Sequence, residues 1–261
     1  MRAMKLLFTA FLLLASMPAG AVTISSSADL GAVPFTAGTG LLGSYYKFGS
    51  SNIGNLANAN QLITSSGGPT ATFTTTTVCF PNCADTSIDD SSSLSTLLNG
   101  HVSNFSYTTP GNTVTAVDHS AIKLTGYIAI TQIGTYNFAI GSDDGSSLTI
   151  GGVSVINNDN DHGYQVSGGQ ATFTQTGLYA ISLMYFEDSG STGFEFFGSA
   201  PNGTCIAGKS GASCATGGSN ASTVFYSSLP TSAVPEPASI VIFGAGLAGI
   251  AILARRRRIA L

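Results

Sequence analysis

The sequence predicts an all-β protein, built as an antiparallel β-sandwich or barrel. Short segments alternate apolar and β-branched residues with polar ones, which is the pattern of half-buried strands. Polar turns separate these segments at short, regular intervals, and helix signals are nearly absent. Residues 22–233, between two apolar ends, number about 212 and are enough for one domain with a substantial core.

The predicted elements follow one another along the middle of the chain. Gly151-Gly152 forms a hairpin turn between two of the strands. One short helix is predicted at 94–98, and a loop-rich stretch at 198–220. The predicted strands cover residues 71–78, 121–131, 134–140, 148–150, 153–156, 170–174, 178–186 and 193–197.

The N-terminus has the pattern of a secretory signal peptide. Arg2 and Lys5 precede an apolar run at 6–15. Three small residues at 19–21 then form a cleavage site that ends at Ala21. The run is too short for a permanent membrane span. The sequence therefore predicts a signal peptide at 1–21 that is cut after Ala21.

The C-terminus, residues 234–261, places three unlike elements in order. A Pro-Glu-Pro turn comes first, then an uncharged stretch at 238–254, then four arginines. A helix of seventeen residues spans roughly 25 Å, at the short end for a bilayer core. Basic residues keep their flank of such a helix on the cytoplasmic side. The residues concerned are Pro235, Glu236, Pro237, Arg255, Arg256, Arg257 and Arg258.

This layout resembles the PEP-CTERM sorting signal of bacterial exported proteins. The resemblance implies that a membrane exosortase cuts near Pro-Glu-Pro. The protein would be tethered to the inner membrane of a Gram-negative-type bacterium and then released to the cell surface or the exopolysaccharide matrix. The alternative is a plain tail anchor that is never cut.

Charge in the middle of the chain argues against nucleic acid as a partner. Only Lys47, Lys123 and Lys209 remain there, against twelve acidic residues, so the net charge is 3 − 12 = −9. Such a surface repels a phosphate backbone. It is compatible with divalent cations or neutral ligands.

Four cysteines suit an oxidising compartment. Three pairings are possible in principle, and the simplest is two local bridges, Cys79–Cys83 and Cys205–Cys214. A metal site is the alternative. It would need neighbouring histidines or a tetrahedral cysteine spacing, and neither is evident.

Several segments follow one another in an order that points to a known domain. An opening strand at 40–46 comes first, and Ser-Asp-Asp-Gly-Ser stands at 142–146. An Asn-Asp…His-Gly loop, with the character of an Asx-rich turn at 159–163, and a Tyr-Phe-Glu strand end at 185–187 follow. Over about 40–197 the chain resembles the protective-antigen-type β-barrel domain, the PA-fourteen family, which includes fungal flocculin and adhesin lectin domains.

Asp143 and Asp144 are the residues that carry chemistry. Adjacent carboxylates on a strand point to opposite faces, so binding one cation together requires a turn, for which Gly145 gives local freedom. The resemblance implies that these two aspartates, joined by a cis peptide, hold calcium, and that the calcium holds sugar hydroxyls. The alternative is a solvated Asp-Asp-Gly turn.

Calcium takes six to eight oxygen ligands, so other residues must join the aspartates. Glu187, Asp188 and Ser189 lie where the resemblance places the second calcium loop, although the asparagine that the family has there is missing. Tyr164 and Phe186 are candidates to stack on sugar faces at the rim, and the alternative is that both belong to the core.

We therefore predict a secreted, non-catalytic module that binds an extracellular polysaccharide through calcium. No pair of carboxylates is singled out for glycosidase chemistry. The alternative function is a structural or adhesive biofilm-matrix protein without a small ligand.

Overall fold

The computed structural model describes residues 20–34, 37–49, 52–207 and 224–229. The apolar run of the predicted signal peptide, Cys214 and the whole sorting signal at 234–261 lie outside these residues. The chain divides into two compact units, 1–228 and 229–261, and every element below belongs to the first. Within the described ranges, no helix has the length and apolar character needed to cross a membrane.

Strands dominate the described residues. Helix α1 spans Leu56–Ser65 and helix α2 spans Leu94–Leu98, at the predicted position. The strands are β1 (Val22–Ile24), β2 (Leu41–Lys47), β3 (Ala71–Thr75), β4 (Cys79–Phe80), β5 (Ile88–Asp89), β6 (Ser103–Tyr107), β7 (Ser120–Ile130), β8 (Gly134–Asp143), β9 (Ser146–Ile150), β10 (Val153–Asn158), β11 (Gln165–Phe173), β12 (Gly177–Glu187), β13 (Ser191–Ser199), β14 (Cys205–Ala207) and β15 (Phe225–Tyr226).

These strands form two sheets that share one core. Sheet 1 has the order β1-β11-β8-β13-β14, and β4 and β5 also pair with β13. Sheet 2 has the order β10-β9-β12-β7-β2-β3-β6, and β15 pairs with β7. Neighbours are antiparallel except β1 and β11, which are parallel. The predicted antiparallel β-sandwich is thus confirmed, with one parallel pair at an edge of sheet 1.

Several strands are longer than the sequence predicts, among them β8 and β11. β8 continues past residue 140 to Asp143, and β11 begins at Gln165 rather than at residue 170. The extensions carry polar residues and glycines, so the sequence there does not show the apolar and polar alternation of a strand. Backbone pairing along the full β8–β11 ladder holds them in the sheet.

Helix α1 was not predicted from the sequence. The Asn55 side chain caps it by accepting a hydrogen bond from the Asn58 amide at 2.9 Å. Leu56 and Ala59 are buried against the outer face of sheet 2, in a cluster that contains Phe186. Because the helix is rich in polar residues, a narrow stripe of apolar residues is the only helix signal in its sequence.

The described cysteines confirm one of the two predicted local bridges. Cys79 and Cys83 form a disulfide, which confirms that pairing. Cys205 is also disulfide-bonded. Its predicted partner, Cys214, lies outside the described residues.

Stacked aromatic rings fill the core of this tryptophan-free chain. Phe194 and Phe196 project inward from β13 and are fully buried. Phe194 stacks on Tyr185 of β12, with ring centroids 4.9 Å apart, and Phe196 stacks on Phe138 of β8 at 5.9 Å. These contacts join the two sheets and two strands of sheet 1. Because side chains alternate, Glu195 between the two phenylalanines points to the outer face of sheet 1.

Replacing Phe194 with alanine should destabilise the domain by about 3–5 kcal/mol, because it leaves a cavity beside Tyr185. Urea denaturation would measure the free energy of unfolding. Phe105→Ala is the matched control, since Phe105 is 40% exposed, and it should change stability by under about 0.5 kcal/mol. Equal losses in the two variants would contradict this account of the core.

Candidate functional site

Three connections between the sheets meet at one end of the sandwich, which we call the acidic end. Asp144-Gly145 joins β8 to β9, residues 159–164 join β10 to β11, and residues 188–190 join β12 to β13. The ladders bring them together, because Asp143 pairs with Gly193 at the start of β13. The acidic residues of these connections therefore converge.

Asp143 and Asp144 occupy a tight, buried turn. The peptide bond between them is cis, as the resemblance implies. Their exposed fractions are 6% and 1%, so the turn is not solvated. A Cβ atom on Gly145 would lie 2.4 Å from the Phe186 ring and 2.9 Å from the Asn160 carbonyl oxygen. Only glycine fits there without a shift of its neighbours.

The Asp144 carboxylate ties the other two connections to this turn. Its Oδ1 accepts a hydrogen bond from the His162 amide at 2.9 Å. Its Oδ2 accepts one from the Asp188 amide, also at 2.9 Å. One side chain thus fixes both neighbouring loops.

Burial makes ionisation of these acids unfavourable. It raises the pKa of Asp143, a rise that hydrogen bonding by the Ser87 side chain opposes. Burial also raises the pKa of Asp144 to about 7, against an ordinary value of 3.8, and Asp161 adds to the rise. Protonation of Asp144 is therefore favoured well above the pH at which an exposed aspartate ionises.

Glu187 is a third carboxyl group buried at the acidic end. Its exposed fraction is 0%, and its Oε1 makes no hydrogen bond. The Tyr185 hydroxyl lies 3.1 Å from Glu187 Oε2 and donates to the Asp143 carbonyl oxygen at 2.6 Å. The pKa of Glu187 is raised to about 10. Burial is the largest cause, and the charge of the nearby Asp144 is the second.

The other predicted site residues lie at the same end with different contacts. Asp188 Oδ1 accepts a hydrogen bond from the Ile53 amide at 2.9 Å and lies 3.1 Å from His119 Nδ1. Ser189 is exposed in the turn before β13. Tyr164 lies across Gly141 of β8. The structure thus gathers the predicted residues at one end, and their role as ligands stays a prediction.

Among the described residues, no basic side chain forms an ion pair with Asp143, Asp144 or Glu187. The ion pairs in this part of the chain involve Asp118 and Asp188. In the same part of the chain, no three His, Cys, Asp or Glu side chains are arranged to hold a metal ion. A cation here would depend on further oxygens, such as the Asn160 carbonyl beside Gly145.

Four residues of the acidic end were missed in the sequence. Asp161 and His162 were assigned to a plain Asx-rich turn, although they stand beside Asp144. Ser87 and Glu195 carry no local motif. The pairing of β5 with β13 brings Ser87 to the site, and the pairing of β13 with β8 brings Glu195 there.

Comparison with known families agrees with both resemblances. A family model for the PA14 domain matches residues 82–196, and one for the PEP-CTERM protein-sorting motif matches residues 233–258. The chain carries a PA14 domain and a PEP-CTERM motif. PA14 is the protective-antigen-type family, so the predicted domain type is confirmed.

Solved PA14 structures share this fold. The PA14 domain of the MpAFP antifreeze protein is 23% identical, with a TM-score of 0.57, over 76% of this chain and 95% of the other. The PA14 sugar-binding domain from an RTX adhesin is 22% identical, with a TM-score of 0.53, over 65% of this chain and 94% of the other. No curated protein sequence matches the chain.

Without calcium, the stability of the domain should fall as pH rises from about 4 to 7. The folded chain holds a proton on Asp144 up to pH about 7, whereas the unfolded chain releases it near 3.8, so folding is favoured at low pH. Asp144→Asn should flatten this dependence. Urea denaturation in chelator between pH 4.5 and 8 would measure it.

Asp89→Asn is the matched control for that measurement. Asp89 is exposed, and hydrogen bonding to Ser91 lowers its pKa instead of raising it. A pH slope as steep in Asp144→Asn as in the unmodified chain would contradict the role of Asp144.

Proposed function

We propose that the PA14 domain is a non-catalytic carbohydrate-binding module. Calcium held by Asp143 and Asp144 binds hydroxyl groups of an extracellular polysaccharide. The PEP-CTERM motif implies export and sorting to the surface. The protein would then act at the cell surface or in the exopolysaccharide matrix.

One observation carries the calcium part of this proposal. Three carboxyl groups, of Asp143, Asp144 and Glu187, are buried together without a basic partner among the described residues. Removing a carboxylate from water costs several kcal/mol unless a proton or a cation compensates it. Calcium is a hard cation that prefers oxygen donors, and it is the compensating ion we propose.

The acidic end offers oxygen atoms, the type of ligand that calcium prefers. Asp143 and Asp144 supply carboxylates, Asn160 a backbone carbonyl and Ser189 a hydroxyl. Glu187 Oε1, which lacks a hydrogen bond, is a further acceptor. These are fewer than the six to eight oxygens that calcium takes, so water and sugar hydroxyls would complete its shell.

Two further considerations support a sugar as the ligand. The structurally similar RTX adhesin domain is described as sugar-binding. Tyr164, half-exposed at the acidic end, offers part of an aromatic ring to a sugar face. Phe186, in contrast, is fully buried against α1 and is part of the core.

A structural matrix role without a small ligand is the second candidate. It is favoured by the lack, among the described residues, of three side chains already arranged for a metal ion. Under this alternative, the buried acids are simply protonated and hold the three connections together.

A glycan array probed with the purified protein in calcium, and again in chelator, should show binding that depends on calcium. Asp144→Ala should weaken that binding at least about ten-fold, because it removes a ligand and both loop anchors. Asp89→Ala removes the same charge from an exposed position and should bind normally. A folded protein that binds no glycan in either condition would favour the matrix role.

Sorting can be tested separately from binding. Glu236→Ala disrupts Pro-Glu-Pro and should leave the protein in the membrane fraction at its uncut size. Thr231→Ala, which changes a residue shortly before Pro-Glu-Pro, should be released normally. Fractionation and immunoblotting would follow both variants. Release of Glu236→Ala at the processed size would contradict recognition of this motif.

A further inference from the structure

The loop between β4 and β5, residues 81–87, crosses the outer face of sheet 1. It starts and ends beside β13, because Cys79 pairs with Glu195 and Ile88 pairs with Thr192. A Cβ atom on Gly193 would lie 2.8 Å from the Thr86 carbonyl oxygen. The missing side chain of Gly193 thus lets the β4–β5 loop pass over β13 towards Asp143, the partner of Gly193 on β8.

Glu195 lies underneath this loop. It points away from the core, yet its exposed fraction is 0%. Its two carboxylate oxygens accept hydrogen bonds from the Asp85 amide at 3.1 and 3.3 Å. Asp85 has a φ of 56°, a left-handed conformation that bends the loop over the carboxylate. The β4–β5 loop is therefore held from below by a buried acid.

Glu195 also borders the β10–β11 loop, residues 159–164. Its partner on β8 is Gly141, and a Cβ atom there would lie 2.1 Å from the Tyr164 hydroxyl. That hydroxyl is buried and makes no hydrogen bond. Because the Tyr164 hydroxyl lies over the partner of Glu195, the two groups are neighbours on the outer face of sheet 1. Burial and the Glu195 charge raise the pKa of Tyr164. Glu195 thus lies between both loops.

The two loops reach the same carboxylate. The β4–β5 loop passes over Gly193, the partner of Asp143, at Thr86 and Ser87. The Ser87 side chain from this loop and the Tyr164 backbone from the β10–β11 loop both oppose the rise in the pKa of Asp143. His162, in the second loop, binds Asp144 through its amide. Displacement of either loop would change the surroundings of the aspartate pair.

We propose that Glu195 is a positioning residue of the acidic end, which holds the β4–β5 and β10–β11 loops against sheet 1 and so fixes the geometry at Asp143. The Cys79–Cys83 disulfide, at the base of the β4–β5 loop, limits the movement of the same loop. This inference rests on the proposed calcium site. Glu195 itself touches neither calcium nor sugar.

Calcium titration calorimetry on the full chain in detergent would test this role. Glu195→Ala should weaken calcium affinity roughly ten-fold, as loss of a group that orients ligands does. Glu195→Gln keeps an oxygen that can accept from the Asp85 amide and should recover part of that affinity. Hydrogen exchange should speed up at residues 82–87 and 160–164 in Glu195→Ala and remain slow in β8 and β13.

Asp29→Ala is the matched control. Asp29 also accepts hydrogen bonds from backbone amides, those of Gly31 and Leu178, but near the start of β12. The acidic end lies at the other end of this strand, roughly 30 Å away. Asp29→Ala should lower stability and leave calcium affinity unchanged.

The outcomes separate the two proposals. If the unmodified chain binds calcium and Glu195→Ala binds it equally well, only the role of Glu195 is overturned. If Asp29→Ala loses as much affinity as Glu195→Ala, the effect is general destabilisation and the role is overturned too. If the unmodified chain binds no calcium, the calcium site itself falls, and this inference falls with it.

Discussion

The burial of acids where the chain passes between the sheets is the constraint on which the acidic end depends. Asp144 gives both of its carboxylate oxygens to backbone amides, of His162 and Asp188, so one side chain fixes three connections. The same burial disfavours its charge. The burial of Asp144 therefore both orders the three connections and makes a proton or a cation necessary. A change that exposes this side chain would affect both.

Glycines, which have no side chain, shape the acidic end as much as its acidic residues do. Gly145 lets Phe186 and the Asn160 carbonyl approach the turn, and Gly193 lets the β4–β5 loop cross its strand. Gly141 gives Tyr164 room over β8. These glycines have ordinary strand or turn neighbours in sequence. These glycines matter because other segments pack directly against them, and those contacts exist only in the folded chain.

Local pattern predicted much of the fold, and it predicted the centre of the site but not its surroundings. β7 and β12 follow from alternation, and Asp143-Asp144 stands out because a paired acid beside glycine is a local signal. Helix α1 was missed because its apolar stripe is narrow. Glu195 was missed because an acid on a strand normally faces water. Its burial depends on Asp85, 110 residues away in sequence, which no local pattern records.

The parallel pairing of β1 with β11 bears on the order in which an exported chain assembles. Val22 pairs with Ala171, so the two partners are 171 − 22 = 149 residues apart. A chain that crosses the membrane from its N-terminus delivers β1 long before β11 emerges. Until then β1 has no ladder to join, and the backbone beside Ala21, the predicted cleavage position, is not held in a sheet. If a leader is cut after Ala21, as the sequence predicts, this sheet edge closes only later, when most of the domain has been translocated.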